Sequence, residues 1–291
     1  MIYWSLYILL VKRCGGWDSN PRKPELQDLE SRPFGHSGTP AHPTNLHKNL
    51  KTVPQPTQPH KYGQTNTRTM RVSISLGGSL LNQTPDTITK YADTLIELKE
   101  KGHQLIIVTG GGRSARHWIS LAKELGADPY TQDRLGIHAT HLNALLLIAA
   151  LGSHAHPHIH RRGSEIKRHL DNQILVGGGY LPGSSTDYRA VLFAQAAKAD
   201  LIVNATNVDG VYDRNPNLNP DAVKLLHITH HGLEKIINEN AVQAPGKYGL
   251  FDLKAVKRAK KFKLPLIFVD GTNPQEIARA IEGGHSGTEV R

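Results

Sequence analysis

Three glycine-rich turns contain the groups in this sequence that are best suited to bind phosphate. They lie at residues 77–78, 110–112 and 177–179, and each follows a short apolar run that predicts a β-strand. Glycine has no side chain, so its backbone N–H can approach an oxyanion closely, and the positive end of a following helix favours negative charge. Three such turns predict a site built around several phosphates.

Each turn is followed by a side chain that suits phosphate chemistry. Ser79 and Arg116 can donate hydrogen bonds to phosphate oxygens, and Asp187 can orient such donors or help to hold Mg²⁺. Asp133 can accept a hydrogen bond from a sugar hydroxyl. Each residue also has a purely structural interpretation: a turn for Ser79, a solvated helix face for Arg116 and a helix N-cap for the two aspartates. The residues alone leave both interpretations open.

Residues 204–212 follow another predicted strand and offer polar side chains and the Tyr212 ring. These groups suit a purine and a ribose, although the segment by itself predicts only a turn. The sequence contains no P-loop motif, and no Gly-x-Gly-x-x-Gly fingerprint follows the first strand. Phosphate binding by a different scaffold is therefore expected.

Four histidines alternate with other residues at positions 154, 156, 158 and 160. On an extended segment they would share one face and could ligate a metal ion. However, Pro157 interrupts the segment, and no cysteine or carboxylate completes a tight site. An exposed strand face or loop is the favoured interpretation.

The composition argues against several classes of partner. The formal charge is +10, but residues 1–69 hold nine Lys and Arg against four Asp and Glu, so half of the excess lies there. The rest of the chain is only mildly basic, which argues against a nucleic-acid surface. The single cysteine, Cys14, excludes an internal disulfide and fits a reducing cytoplasm. The apolar run at residues 2–11 is too short to cross a membrane.

Residues 1–69 show no sustained helical or strand periodicity and hold eight of the seventeen prolines. Such a segment cannot bury enough apolar surface to fold by itself. Residues 17–22 also resemble the T-arm of a transfer RNA gene read as protein. We therefore expect either a disordered extension or a mis-annotated start, with translation beginning at Met70.

From Met70 onward, apolar strands alternate with amphipathic helices. Strands are predicted over 71–76, 104–108, 174–176, 201–203 and 266–269. Helices are predicted over 85–101, 114–125, 135–151, 186–198, 229–239, 252–262 and 274–282. This alternation predicts an α/β fold, a three-layer α/β/α sandwich with a mostly parallel central sheet. Ligands collect at the carboxyl ends of the strands in such sheets, which is where the three glycine turns fall.

Five motifs, in order and spacing, resemble the amino-acid kinase superfamily and, within it, the uridylate kinases of the archaeal type. They occupy residues 76–80, 108–112, 133–137 leading to 143–144, 182–187 and 206–212, the tail at 287–288 also agrees, and the similarity spans Met70–Arg291. The motifs at 182–187 and 206–212 are specific as a pair. The resemblance implies the amino-acid kinase fold and transfer of the ATP γ-phosphoryl group to UMP. It also implies Mg²⁺, a cytoplasmic location and a homohexamer, and gives no indication of membrane or nucleic-acid binding.

The resemblance also implies a role for individual residues. The residues implied for ATP are Gly78, Ser79, Gly112, Arg116, Thr206, Asn207, Tyr212 and Asn215. Those implied for UMP are Gly111, Asp133, Gly179, Tyr180, Leu181, Pro182, Gly183, Ser184, Ser185 and Thr186. Asp187 and Arg116 would be catalytic, and no residue is implied as a resident metal ligand. Residues 70–185 would form the UMP-binding lobe and residues 186–291 the ATP-binding lobe.

Two positions depart from the superfamily pattern. Ser75 stands where many members have a lysine, so the developing charge needs Arg116, Mg²⁺ or another lysine, for which Lys247 and Lys254 are candidates. Asn215 stands where the nucleotide segment often has aspartate. Two alternatives stay open: a sibling kinase that acts on isopentenyl phosphate, acetylglutamate or aspartate, and a nucleotide-binding sensor that has lost catalysis.

Overall fold

The computed structural model describes residues 68–81, 84–170, 173–216, 218–241 and 250–291. The prediction for residues 1–69 lies outside the described residues, apart from Arg68 and Thr69. Lys247 lies outside them as well.

The centre of the described part is a seven-stranded, mostly parallel sheet. In chain order the strands are β1 (Arg71–Leu76), β2 (Gln104–Thr109), β3 (Leu175–Gly177), β4 (Leu201–Thr206), β5 (Val211–Tyr212), β6 (Lys224–Leu225), β7 (His227–Ile228), β8 (Leu266–Asp270) and β9 (Thr288–Val290). The large sheet has the order β3-β2-β1-β4-β8-β9-β7, and β5 pairs with β6 in a separate ribbon. The first five strands in that order are parallel, and β9 is antiparallel to β8.

Helices connect the strands. In chain order they are α1 (Gly78–Leu81), α2 (Pro85–Glu100), α3 (Gly112–Glu124), α4 (Pro129–Leu151), α5 (Gly163–His169), α6 (Thr186–Ala197), α7 (His230–Ala241), α8 (Leu253–Phe262) and α9 (Pro274–Glu282). Side chains cap several of them: Asp128 caps α4, Ser185 caps α6 and Asp252 caps α8. Each cap satisfies backbone N–H groups that have no partner within the helix.

The two faces of the sheet carry separate apolar cores. On β1, Val72, Ile74 and Leu76 point to one face, where they pack in a core with residues of α2, α4 and α9. The alternate residues Ser73 and Ser75 point to the other face and bond to α6. On that second face, α5 to α8 supply the apolar residues. The predicted three-layer α/β/α architecture is therefore confirmed.

Helix α4 begins six residues before its predicted start. The Asp128 carboxylate accepts a 2.7 Å hydrogen bond from the Thr131 N–H, and Pro129 occupies the first helical turn, where its missing N–H costs nothing. Asp133, expected just before this helix, therefore lies within it, and the structural interpretation of Asp133 as the cap is wrong.

Helix α4 is also unusually apolar. The segment Pro129–His154 has the length and composition of a membrane span. However, Ala144, Leu147 and Leu151 lie in the core beneath the sheet. The buried share of its most apolar 18-residue stretch is 33%, so α4 packs one face in the core and leaves the rest of its surface exposed.

Some short elements were not predicted. Helix α5 and the strands β5, β6, β7 and β9 are too brief to give a clear periodic signal. The interpretation of the alternating histidines as an exposed strand face or loop is wrong for His160, which is 2% exposed. Its backbone N–H donates a 2.8 Å hydrogen bond to the carbonyl of Val176 in β3, which draws the segment against the sheet.

Candidate active site

The first two glycine turns touch each other through their backbones. A Cβ atom on Gly110 would lie 2.7 Å from the nitrogen of Gly78, and a Cβ on Gly78 would overlap the carbonyl of Gly110. Neither position therefore accepts a side chain. The Asn143 amide of α4 holds the second turn by donating a 2.7 Å hydrogen bond to the Gly110 carbonyl. The parallel pairing of β1 and β2 thus brings two sets of bare amides together.

The third glycine turn rests on α4. The hydroxyl of Thr140 accepts a 2.7 Å hydrogen bond from the N–H of Gly179. Four residues further along, the N–H of Gly183 donates a 2.6 Å hydrogen bond to Oδ2 of Asp133. These two bonds fix both ends of the loop 179–183 against one face of the helix.

A cavity of about 130 Å³ lies between α4 and this loop. Its lining includes seven of the ten residues predicted to bind UMP: Asp133, Gly179, Leu181, Pro182, Gly183, Ser184 and Thr186. The structure thus brings together residues that are fifty positions apart in the sequence. The cavity combines apolar walls with a carboxylate and backbone amides, as small-molecule sites commonly do.

The other three residues predicted to bind UMP do not line this cavity. Tyr180 packs its ring under the guanidinium of Arg189, at 5.0 Å, and its hydroxyl accepts hydrogen bonds from Arg162. Ser185 caps α6 by accepting a 3.0 Å hydrogen bond from the Tyr188 N–H. Gly111 is the N-cap residue of α3 and lies in the second glycine turn.

Asp187 lies in the first turn of α6 but does not cap it, because Ser185 has that role. The structural interpretation of Asp187 as an N-cap is therefore wrong. Oδ1 of Asp187 accepts a 2.8 Å hydrogen bond from the hydroxyl of Ser75 in β1. Burial raises the pKa of Asp187 to about 6, with a smaller contribution from the charge of Asp252, while the Ser75 bond acts in the opposite direction. A carboxylate that changes charge near neutral pH at a sheet edge is typical of a reactive site.

At position 75, where many superfamily members have a lysine, this chain thus has a serine whose hydroxyl orients Asp187. Ser75 is 4% exposed, so it cannot reach far into a ligand site. A lysine is nevertheless present nearby: Nζ of Lys254 in α8 lies 3.4 Å from the carbonyl of Gly183 and donates to it. The structure therefore places one of the two candidate lysines at the loop that lines the cavity.

The residues predicted to hold ATP phosphates lie at the start of two helices. Gly78 and Ser79 open α1, which is separated from β1 by one residue, and Gly112 opens α3, which is separated from β2 by two residues. Arg116 follows in α3, where it is exposed. Free backbone N–H groups at helix starts favour anions. These four residues therefore lie beyond the carboxyl ends of β1 and β2, at the same edge of the sheet as the glycine turns.

The segment predicted to hold adenosine starts at Thr206, the last residue of β4. Asn207 is exposed in the turn that follows. The Tyr212 hydroxyl donates a 2.9 Å hydrogen bond to Asp209, which also receives Nζ of Lys224 at 2.9 Å. Asn215 is 4% exposed and its carbonyl accepts from two backbone N–H groups of the following turn, so little of it is available to a ligand.

Sequence reasoning did not single out Thr140 or Ser75 as partners of the site. Thr140 could have been found, because Asp133, Gly136, Ile137 and Thr140 follow the spacing of one helix face and all line the cavity. Ser75 gives no such signal, since its partner Asp187 lies 112 positions away.

A three-layer α/β/α fold with glycine turns at the carboxyl ends of parallel strands, and with Asp133 and Asp187 beside them, has the arrangement of an α/β protein that binds a ligand at this edge of the sheet. The model of the amino acid kinase family matches residues 70–270. This chain therefore belongs to the amino acid kinase family, and the resemblance inferred from the sequence is confirmed.

Individual relatives narrow the comparison. The uridylate kinase of Methanosarcina mazei is 40% identical over 217 residues, which cover 74% of this chain and 92% of the relative. The uridylate kinase of Pyrobaculum calidifontis is 35% identical, and the aligned residues cover 75% of this chain and 98% of the relative. The crystal structure of uridylate kinase from Archaeoglobus fulgidus has a TM-score of 0.69 and 36% identity, covering 77% of this chain and 100% of its own. The crystal structure of UMP kinase from Bacillus anthracis has a TM-score of 0.64 and 25% identity, and the match covers 77% of this chain and 97% of that one.

Proposed function

We propose that this chain is a UMP kinase, which transfers the γ-phosphoryl group of ATP to UMP and gives UDP and ADP. The uridylate kinases among its relatives support this, at 35% and 40% identity over about three quarters of the chain. The observation on which the proposal depends most is the cavity beside the third glycine turn, whose lining includes seven of the ten residues expected to contact UMP.

In this proposal the glycine turns align the phosphate of UMP with the triphosphate of ATP. Backbone N–H groups at Gly78, Gly111 and Gly112 hold phosphate oxygens, and Ser79 and Arg116 add side-chain donors. An oxygen of the UMP phosphate forms a bond to the γ-phosphorus while the bond from that phosphorus to the bridging oxygen of ADP breaks. Phosphoryl transfer needs alignment and charge neutralisation more than covalent chemistry, and a rigid edge of amides supplies both.

Asp187 and Lys254 supply the side-chain charges that act on the reacting phosphates in this proposal. Asp187 orients the reacting groups as a carboxylate, because Ser75 and a backbone hydrogen bond from Asp252 hold it in place. Lys254 stands in for the absent lysine at position 75, since its ammonium already contacts the loop at Gly183. Mg²⁺ enters with ATP and neutralises phosphate charge; an oxygen ligand such as Asp187 suits this ion.

The adenosine pocket is proposed at Thr206, Asn207 and Tyr212, on the other side of β1 from the acceptor cavity, with the buried Asn215 supporting the turn behind it. The division into a UMP lobe at 70–185 and an ATP lobe at 186–291 follows, with Asp187 at the junction. The family match begins at residue 70, which supports Met70 as the start of the kinase domain.

A homo-oligomer, expected as a hexamer and located in the cytoplasm, completes the proposal. Helices α3 and α4, with Leu125 just after the end of α3, expose several large apolar side chains: Trp118, Leu121, Leu125, Tyr130, Leu142, Leu145 and Leu146. Leu125 is 86% exposed and Leu142 is 56% exposed. Large exposed apolar patches of this kind mark interaction surfaces. The Leu145→Lys variant should sediment as a smaller species than the wild type if two copies meet there.

An acceptor panel tests the function. Purified protein is incubated with ATP, Mg²⁺ and, in separate reactions, UMP, CMP, AMP, isopentenyl phosphate, acetylglutamate or aspartate, and ADP release is followed. The expected result is turnover with UMP that exceeds every other acceptor, and loss of that turnover in Asp187→Asn. Faster turnover of a non-nucleotide acceptor would replace the proposal by the sibling-kinase alternative. Tight nucleotide binding with no turnover would replace it by the sensor.

A further inference from the structure

Three histidines outside the phosphate site converge at the edge of the sheet. His156 and His160 lie on the segment that runs beside β3, and His169 is the last residue of α5. Nε2 of His160 lies 3.1 Å from Nδ1 of His169. The candidate ligand nitrogens of all three lie within 4.8 Å of one another. Their ring centroids are 4.4 to 5.3 Å apart, so the three imidazoles form one cluster.

The backbone fixes this cluster from both sides. His156 and His160 each donate a backbone hydrogen bond to the strand beside them, at 3.0 and 2.8 Å, and so the segment is added to the sheet edge. The start of α5 is held by Glu165, whose carboxylate accepts from the N–H groups of Arg161 and Arg162. A site that is built on such fixed elements needs little rearrangement to bind a ligand.

The surroundings of His160 resemble those of a metal-ligating histidine. Its Nδ1 lies 3.3 Å from the carbonyl of Val176, and we assign the ring proton to this nitrogen because a carbonyl can only accept. The lone pair then resides on Nε2, which points at His169. Metal-ligating histidines usually donate their other N–H to a carbonyl or carboxylate in this way, which fixes the tautomer.

We propose that His156, His160 and His169 form a binding site for a divalent d-block ion, with Zn²⁺ as the representative. Zinc binds imidazole nitrogens at about 2.0–2.1 Å, so two tetrahedral ligand nitrogens lie about 3.3–3.4 Å apart. The pair of His160 and His169 already has nearly this separation, at 3.1 Å. The His156 ring stacks on His169 with an interplanar angle of 18°, so rotation of this ring out of the stack brings its nitrogen to the same ion. Water or the exposed neighbour His158 completes the coordination.

The ligand type separates this site from the Mg²⁺ that accompanies ATP. Imidazole nitrogen suits Zn²⁺, Cu²⁺, Ni²⁺ and Co²⁺, whereas Mg²⁺ requires oxygen ligands. An ion at this place joins the edge segment to α5, next to Gly177 of the third turn, with which His160 pairs. The site is independent of the proposed kinase activity.

Metal titration of the full chain, purified without a histidine tag and treated with a chelator, tests this site. Zn²⁺ is added in competition with a chromogenic chelator, and Co²⁺ is used as a spectroscopic probe. The wild type should bind one equivalent of Zn²⁺ that persists in excess Mg²⁺ and should show the visible absorption of tetrahedral Co²⁺. In His169→Gln, the affinity of that equivalent should fall more than about 100-fold and the Co²⁺ band should disappear.

His154→Gln is the matched control, because His154 belongs to the same segment and stays outside the cluster. This variant should still bind one equivalent of Zn²⁺ and should still show the visible absorption band of tetrahedral Co²⁺. Since His169→Gln could disturb α5, His156→Gln is measured as well, and circular dichroism checks that each variant is folded. Equal zinc binding by wild type, His169→Gln and His156→Gln would overturn the proposal. So would an equal loss in His154→Gln, which would mean diffuse binding to surface histidines.

Discussion

The Ser75→Ala substitution should raise the acidic midpoint of the pH–rate profile, which is the pH at which activity has fallen to half on the acid side. The Ser75 hydroxyl donates a 2.8 Å hydrogen bond to Asp187, and this bond stabilises the ionised carboxylate. Burial acts in the opposite direction and raises the pKa of Asp187 to about 6. If Asp187 works as a carboxylate, the rate falls as the pH drops through about 6, and removal of the hydroxyl moves this fall to higher pH.

The size of the shift follows from the hydrogen bond. A hydrogen bond to a charged group contributes about 1.5–3 kcal/mol, and about 1.4 kcal/mol corresponds to one pKa unit. At the lower end of this range, the lost hydrogen bond corresponds to about one pKa unit. The acidic midpoint should therefore rise by about one pH unit, to about 7.

The assay measures kcat/KM for UMP from about pH 5 to about pH 9, because this quantity reports groups of the free enzyme. Ser73→Ala is the matched control: Ser73 lies two residues earlier on the same face of β1 and donates to the Ala190 carbonyl at 2.9 Å, away from Asp187. Its acidic midpoint should match the wild type. Superimposable profiles of Ser75→Ala and wild type, or an equal shift in Ser73→Ala, would refute the reasoning.

Three further substitutions test other parts of the site. Asp187→Asn should lower kcat at least about 100-fold, because the role of Asp187 is in the transition state. The same variant should have a higher thermal midpoint than the wild type at pH 8 but not at pH 4. Folding raises the pKa of this carboxyl from 3.8 to about 6, so the wild-type protein loses stability as the pH rises through that range. Arg116→Ala should raise the KM for ATP about ten- to hundredfold by removing a charge-assisted hydrogen bond, with a fold unchanged by circular dichroism. Lys254→Met should lower kcat while Lys257→Met, one helical turn further along α8, leaves it near the wild type; equal rates for both variants would remove Lys254 from the mechanism.

Much of the fold could be predicted because its signals are local. The bounds of β1 and α9 agree with the prediction, since alternating apolar residues in one case and a proline at the helix start in the other define them. The start of α4 was missed even though Asp128-Pro129 is a regular start signal, because the apolar periodicity begins only at Leu135. Helix α5 is too short for periodicity to reveal it.

Seven of the residues that line the cavity could be named from the sequence, but the bonds that join distant parts of the site could not. The glycine turns and these seven residues could be named, because each belongs to a contiguous motif. The bonds from Ser75 to Asp187 and from Lys254 to Gly183 join residues 112 and 71 positions apart, and no single-sequence pattern specifies such pairs. The same holds for His169, which joins His156 and His160 only through the packing of α5.

A crystal structure of the complex with UMP and a non-hydrolysable ATP analogue tests the central claim most directly. We expect UMP in the cavity between α4 and residues 179–186, in contact with Asp133 and Gly183, and the triphosphate over Gly78 and Gly112. The reacting phosphates would then face each other beside Asp187. Electron density for either nucleotide away from this edge of the sheet would contradict the account.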